Sequence, residues 1–187
     1  EEVKLLFKEL LINVTSFFRD AEAFAALKKD VVPLLFEGKP DDYVLRVWVP
    51  GCSTGEEAYS IAMVLREHMD ESRRELKVQL FGTDVDEDAI AAARSGRYPP
   101  NIAMDVSPDR LRRFFVPEES GYGITKTIRD MVIFATQDLI KSPPFTKLDL
   151  VSCRNVLIYL EPELQSRLIP VFHYALKPDT FLMLGHS

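Results

Sequence analysis

Cysteine, histidine and tryptophan are scarce in this 187-residue sequence, which holds two, three and one of them respectively. Two cysteines, Cys52 and Cys153, make no disulfide framework, so a reducing cytoplasm is the default compartment. His68, His173 and His186 lack metal-ligand spacing, and no metal is expected. No apolar run reaches the roughly 20 residues of a membrane span, and no signal peptide is visible. Positive charge is short as well. The 23 Lys and Arg against 29 Asp and Glu give a net charge of −6 and a pI near 5.2. That balance argues against a nucleic-acid backbone as the main partner. The chain opens on Glu1 and Glu2 with no initiator Met, as expected of an excised domain. Internal repeats and low-complexity tracts are lacking too.

What is present is a hydrophobic fraction of 47%, enough for a substantial core within one domain. Helical patterns cover residues 2–12, Thr15 to about Leu35, Gly55 to about His68, Asp86 to Arg94, 108–116 and Pro162–Leu176. In the second of these, Phe17, Phe18, Phe24, Leu27 and Val31 give the apolar stripe. Strand patterns alternate with the helices at Val44–Val49, Val78–Gly82, Met131–Ala135, Leu148–Ser152 and Phe181–Leu184. Ser120-Gly-Tyr-Gly123, flanked by alternating Tyr122, Ile124 and Ile128, predicts a hairpin. Repeated strand–helix units predict an α/β fold with a mostly parallel sheet and helices on both faces. Ligands of such sheets sit beyond the carboxyl ends of the strands. The segments to question are therefore Gly51–Glu57, Thr83–Asp86, Thr136–Leu139 and Cys153–Tyr159.

The most informative of these is the first, within VWVPGCSTGEEAYSIAM (Val47 to Met63), where a strand enters a tight glycine loop and then an amphipathic helix. Gly51 and Gly55 let bare backbone approach a ligand. Glu56 and Glu57 open the helix, and two carboxylates there would repel a pyrophosphate. The patterns G-x-G-x-x-G and G-K-[ST] are missing. A cofactor with an adenosine, no phosphates and positive charge fits better, and S-adenosylmethionine is the candidate. The loop alone leaves open that both glutamates merely complement the helix dipole.

Asp84 ends the second strand, where a carboxylate can accept both ribose hydroxyls; the plainer role for Asp84 or Asp86 is to cap the next helix, and position after the strand favours Asp84 for ribose and Asp86 for the cap. Asp138 and Leu139 follow the third strand and supply the polar group and apolar wall of an adenine site, although Asp in a turn is commonplace. Arg154 and Asn155 follow the fourth strand, beside the expected methyl-transfer position. A guanidinium there can orient a carboxylate through two parallel hydrogen bonds. A structural ion pair or helix cap is the plainer role for both, as core packing is for Tyr159, which otherwise holds or walls the donor. Thr15 is a natural N-cap, and Arg19 one turn later shares its face. A solvated surface arginine is the alternative there. Ser142-Pro-Pro-Phe145 imitates the [DNS]-P-P-[YF] motif of amino-group methyltransferases, but it precedes the fourth strand instead of following it, so it reads as a loop. Cys52 and Cys153 read as inert thiols.

Together these residues resemble the CheR-type chemotaxis receptor methyltransferases, which use S-adenosylmethionine to methylate receptor glutamates. The matching segments are Asn13–Asp20, Trp48–Met63, Gly82–Tyr98 and Asp149–Leu160, with Leu184-Gly-His-Ser187 near the end. The run from Asp138 to Pro178 is similar to versions fused to methylesterase and PAS modules. The resemblance implies a Rossmann-like methyltransferase domain over residues 1–187, with 115–131 as a small β-hairpin subdomain. It implies Asn13, Thr15, Arg19, Gly51, Cys52, Ser53, Glu56, Asp84, Asp138, Leu139 and Asn155 as donor contacts. Arg19, Arg154 and Tyr159 become the catalytic or substrate-orienting set. The family often has asparagine where this chain has Asp138, a departure expected to alter donor affinity. The family's N-terminal helical domain, with its basic receptor-facing surface, and the sequence beyond Ser187 are expected to be absent. The loop in 115–131 is shorter than in members that grip a receptor's C-terminal pentapeptide, so no such tethering is expected. The implied activity is cytoplasmic O-methylation of glutamates on chemotaxis-type receptor helices. The alternative is a signalling module that binds S-adenosylmethionine or S-adenosylhomocysteine without turnover.

Overall fold

The computed structural model describes residues 15–185. The helix expected over 2–12, Asn13, and His186 with Ser187 lie outside the described residues. Helices α1 (Ala21–Ala26) and α2 (Val32–Phe36) come first, joined by a π-helical turn over Leu27–Val31. Then follow β1 (Val44–Pro50), α3 (Glu56–Ser72), β2 (Lys77–Asp84) and α4 (Glu87–Ser95). A small lobe holds β3 (Arg97–Tyr98), α5 (Pro108–Phe114), β4 (Phe115–Glu118), β5 (Gly121–Ile124) and α6 (Lys126–Arg129). The chain ends on β6 (Val132–Thr136), β7 (Leu148–Cys153), α7 (Pro162–Ala175) and β8 (Leu176–Leu184).

Strand β1 shows why the sheet is covered on both faces. Side chains alternate along a strand, and Leu45, Val47 and Val49 enter one core while Trp48 enters another. Helix α3 fills the first with Ala58, Ile61, Ala62 and Leu65, the i, i+3, i+4, i+7 stripe of an amphipathic helix. Helix α7 fills the second with Leu168, Phe172 and Ala175. The Ser142-Pro-Pro-Phe145 segment is indeed a loop. Its Phe145 stacks on Phe81 at 4.2 Å and meets Trp48 edge-on, closing that second face. At the start of β7 the buried Asp149 accepts the Arg46 backbone N–H (2.8 Å), Lys177 Nζ (2.9 Å) and the Tyr43 hydroxyl. One carboxylate thus ties β1, β7 and β8 together.

The five main strands pair in parallel in the order β6, β2, β1, β7, β8. The winding reverses between β1 and β7, so the loops after those two strands diverge and open a crevice. Asp86 caps α4 as expected, accepting from Asp88 N (2.9 Å) and Ala89 N (3.4 Å). The hairpin also forms, but Arg97–Tyr98 joins it to make a three-stranded antiparallel sheet in the order β3, β5, β4.

The expected helix from Thr15 does not form there. Residues 15–20 are irregular, and α1 starts at Ala21 with Asp20 as its N-cap, accepting from Ala23 N (3.3 Å). The physical reason is that Phe17 and Phe18 are both buried but point to different partners. Phe17 packs edge-on against Tyr98 and Phe115, whereas Phe18 packs against Phe24 and beneath the Arg110 guanidinium. Phe18 and Asp20 take left-handed backbone angles to do this, at φ 52° and 66°. Thr15 therefore caps no helix.

Candidate active site

A cavity of about 420 Å³ opens at the switch point, walled by the loops that follow β1, β2, β6 and β7 together with Thr15 and Arg19. A cleft of about 510 Å³ at the outer edge of β6, beside Arg94, Lys126 and Arg129, takes no residue from the loops after β1 or β7.

The glycine loop is held from several sides. Cys52 N–H donates to the Thr83 carbonyl (2.9 Å), Gly55 N–H to the Cys52 carbonyl (2.9 Å), and Ser53 N–H to Asp84 Oδ2 (2.8 Å). Gly51 sits at φ 67°, and a β-carbon there would lie 2.3 Å from Val156 Cγ2 on the loop after β7. Only glycine lets the two loops meet so closely. The Ser53 hydroxyl is buried with no hydrogen-bond partner. Asp84 also accepts Asp86 N–H (3.0 Å) on its other oxygen, which fixes the carboxylate at the cavity wall.

The two glutamates separate. Successive helical residues point about 100° apart, and this carries Glu56 away from the cavity, where it accepts the Thr54 hydroxyl (2.7 Å). Glu56, expected as a donor contact, is therefore not among the residues that line the cavity. Glu57 is the one that lines the cavity; it accepts the Ser152 hydroxyl (2.7 Å) and lies 3.5 Å from Arg154 Nη1. Burial raises the pKa of both carboxyls, opposed in Glu57 by Ser152 and by the charges of Arg154 and Arg19. Two acidic residues directly after the glycine loop are visible in the sequence; the helical phase that turns the second inward is the signal that tells them apart.

Arg154 caps no helix, but it does make the ion pairs that were its plainer role, with Asp20 and Glu57. Its side chain is only 2% exposed, with Nη2 3.3 Å from Asp20 Oδ2 and the guanidinium over Phe24. Its Nε and Nη1 are buried without a hydrogen-bond partner. Arg19 lines the same cavity, as does Asn155 at φ 55°. Asp20, 134 residues from Arg154, is a contributor that sequence reasoning missed. Tyr159 stands 55% exposed beside the cavity, so core packing is not its role.

At the other end, Asp138 Oδ1 accepts Ile140 N–H (2.9 Å) and Lys141 N–H (3.2 Å), and Oδ2 meets Lys141 Nζ at 3.3 Å. The Ile140 amide, with Lys141, holds this carboxyl below the usual carboxylate range. Leu139 is joined by Val85 and Ile140, both about half exposed, as apolar walls that sequence reasoning did not name. Cys52 and Cys153 are buried free thiols, and burial pushes Cys153 up to about 12 and Cys52 well up, as inert thiols require. Among the described residues no cluster of metal-ligating side chains occurs, and no helix is long and apolar enough to cross a membrane.

These donors suit an adenosyl sulfonium cofactor. A carboxylate at the end of β2 suits ribose hydroxyls, an apolar slot suits adenine, and Glu57 suits a cationic amino acid end. Orphaned N–H groups on Arg154 and the free Ser53 hydroxyl still need partners.

Comparison with known proteins agrees with this geometry. Residues 13–187 match the family model described as CheR methyltransferase, SAM binding domain. An uncharacterized 104.1 kDa protein from Rhodobacter capsulatus is 41% identical over 186 residues, covering 100% of this chain and 20% of its own length. A chemotaxis protein methyltransferase from Borreliella burgdorferi is 33% identical over 188 residues, covering 97% of this chain and 66% of its own. The chain thus spans a fifth of the first relative and just under two thirds of the second. A Nostoc punctiforme protein assigned as an O-methyltransferase shares the fold, with a TM-score of 0.51 at 13% identity over 88% of this chain and 36% of its own.

Proposed function

Because the chain belongs to the CheR methyltransferase family, as its S-adenosylmethionine-binding domain, we propose that it methylates glutamate side chains of chemotaxis-type receptors. The products would be a glutamyl methyl ester and S-adenosylhomocysteine. The observation that carries this reading is the buried, incompletely satisfied Arg154 guanidinium in a cavity it shares with Arg19. Such a pair receives a carboxylate.

S-adenosylmethionine, when bound, supplies an activated methyl group. Thr15, Gly51, Cys52, Ser53, Glu57, Asp84, Asp138 and Leu139 would hold it, with Asn155 beside them. A glutamate has a reference pKa near ~4.3 and arrives already ionised, so no residue has to remove a proton. Consistent with that, the Glu57 carboxyl is already engaged by Ser152 and Arg154 and is not assigned as a base. Arg19 and Arg154 orient the incoming carboxylate, and Tyr159 walls the entrance. Catalysis then rests on positioning and on exclusion of water. We place the domain in the cytoplasm, beside fused signalling modules such as methylesterase and PAS domains, acting on receptor cytoplasmic helices.

The test is a methyl-transfer assay on receptor cytoplasmic fragments, scoring alkali-labile methyl esters. Esters formed by the wild type and lost in Arg154→Ala would support the reading. Donor binding without any ester would replace it with a non-catalytic binding module.

A further inference from the structure

Tyr98 belongs to the small sheet, yet its side chain ends at the cofactor loop. The residue is buried, and its hydroxyl donates to the Thr54 carbonyl at 2.7 Å, between Ser53 and Gly55. Its ring stands edge-on to Phe17 at 4.8 Å and to Tyr59 at 6.2 Å. Phe17 lies in the irregular segment that carries Thr15 and Arg19 into the cavity wall, and it also packs on Phe115 of β4 at 5.3 Å. The backbone of Tyr98 is gripped in turn by the small sheet. Tyr98 pairs with Tyr122, and a β-carbon on Gly121 would lie 2.1 Å from the Tyr98 carbonyl oxygen. The loop is thus pinned at Ser53 by Asp84 and at Thr54 by Tyr98.

We propose that Tyr98 is a positioning residue that couples the small sheet to the donor loop: shifts of the sheet change donor affinity, and donor binding steadies the sheet. The inference rests on the cavity being the S-adenosylmethionine site. Tyr98 touches neither donor nor substrate; it acts through the Thr54 carbonyl and through Phe17. Coupling between two sites is reciprocal in binding free energy, so the effect has to be readable from both ends. A ligand-induced change at β4 and β5 is its signature at the far end.

The test is calorimetric titration of S-adenosylhomocysteine into wild type, Tyr98→Phe and Gly121→Ala, with hydrogen exchange followed across 115–124. Tyr98→Phe removes one hydroxyl and keeps the ring. The expected result is affinity roughly threefold to tenfold weaker, the scale of one neutral hydrogen bond, at unchanged stoichiometry. Gly121→Ala disturbs Tyr98 from the sheet side and is expected to weaken binding in the same direction. Donor should slow exchange in β4 and β5 of the wild type but not of Tyr98→Phe. A purely structural tyrosine would instead lower stoichiometry and melting temperature at constant affinity, and that outcome overturns the proposal. Protection that persists in Tyr98→Phe overturns it as well. Failure of the folded wild type to bind would refute the donor reading beneath it.

Discussion

Gly51→Ala probes the switch point most directly, because its cost divides into two parts that a second substitution separates. The first part is conformational. Gly51 has φ 67°, and an alanine in the left-handed region costs ~1–2 kcal/mol. The second is steric, since the new methyl would lie 2.3 Å from Val156 Cγ2 and 3.3 Å from Cγ1. Overpacking of that kind costs ~1–3 kcal/mol. Val156→Ala removes both Cγ atoms and leaves the Val156 Cβ at 3.4 Å, the edge of ordinary contact. In the double variant the steric part should vanish while the conformational part stays. Denaturant unfolding of the four proteins therefore predicts a favourable coupling of ~1–3 kcal/mol, well above the ~0.3–0.5 kcal/mol scatter of independent sites. Strict additivity of the two substitutions would refute the close approach of the β1 and β7 loops on which the cavity depends.

Other outcomes follow from the same geometry. Glu57→Gln should weaken S-adenosylhomocysteine binding tenfold or more, whereas Glu56→Gln should leave it within about twofold, both by titration calorimetry. Burial raises the Glu56 carboxyl, so the folded state holds that proton more tightly than the unfolded one. Its burden on stability is absent below the ordinary glutamate pKa and grows as pH rises through the folded value. Glu56→Gln is thus expected to stabilise the protein at neutral pH and not at pH 4, read by thermal melts across pH. Asp84→Ala removes the acceptor of two backbone N–H groups as well as the proposed ribose contact. It should lower donor affinity at least tenfold and also lower the melting temperature. Asp138→Asn keeps an acceptor for the Ile140 and Lys141 amides and loses only the pairing with the exposed Lys141. A stability change under about 1 kcal/mol is expected by urea unfolding.

The sheet was legible in the sequence because each parallel strand announces itself as an apolar run with punctuation at its end. The four strand-end segments chosen on that basis do converge on one cavity. The Asp86 cap was legible for the same local reason. What escaped was decided at long range or by helical phase. Asp20 meets Arg154 across 134 residues, and nothing near either residue advertises the pairing. Thr15 looked like a cap because Thr before an apolar stripe usually is one, but the separate burial of Phe17 and Phe18 outweighed local propensity. Glu56 and Glu57 are chemically identical, and only the start of α3 at Glu56, after the Gly55 N-cap, sets which of them turns inward.

That long-range pairing bears on the proposed chemistry. A glutamate carboxylate loses its charge as it becomes an ester, so a site that gripped the anion strongly would stabilise the ground state more than the transition state. The cavity answers this by balance. Arg154 is flanked by Asp20 at 3.3 Å and Glu57 at 3.5 Å, and Glu57 also feels the charge of Arg19. Two guanidiniums thus face two carboxylates, leaving N–H groups to orient a substrate while much of their field is already neutralised. Glu57→Gln removes one of those carboxylates. It should therefore tighten binding of the receptor fragment, lowering its KM, and lower kcat at saturating donor, because the unbalanced arginines then favour the ionised ground state. A higher KM for the fragment with kcat unchanged would show instead that Glu57 serves only to shape the cavity.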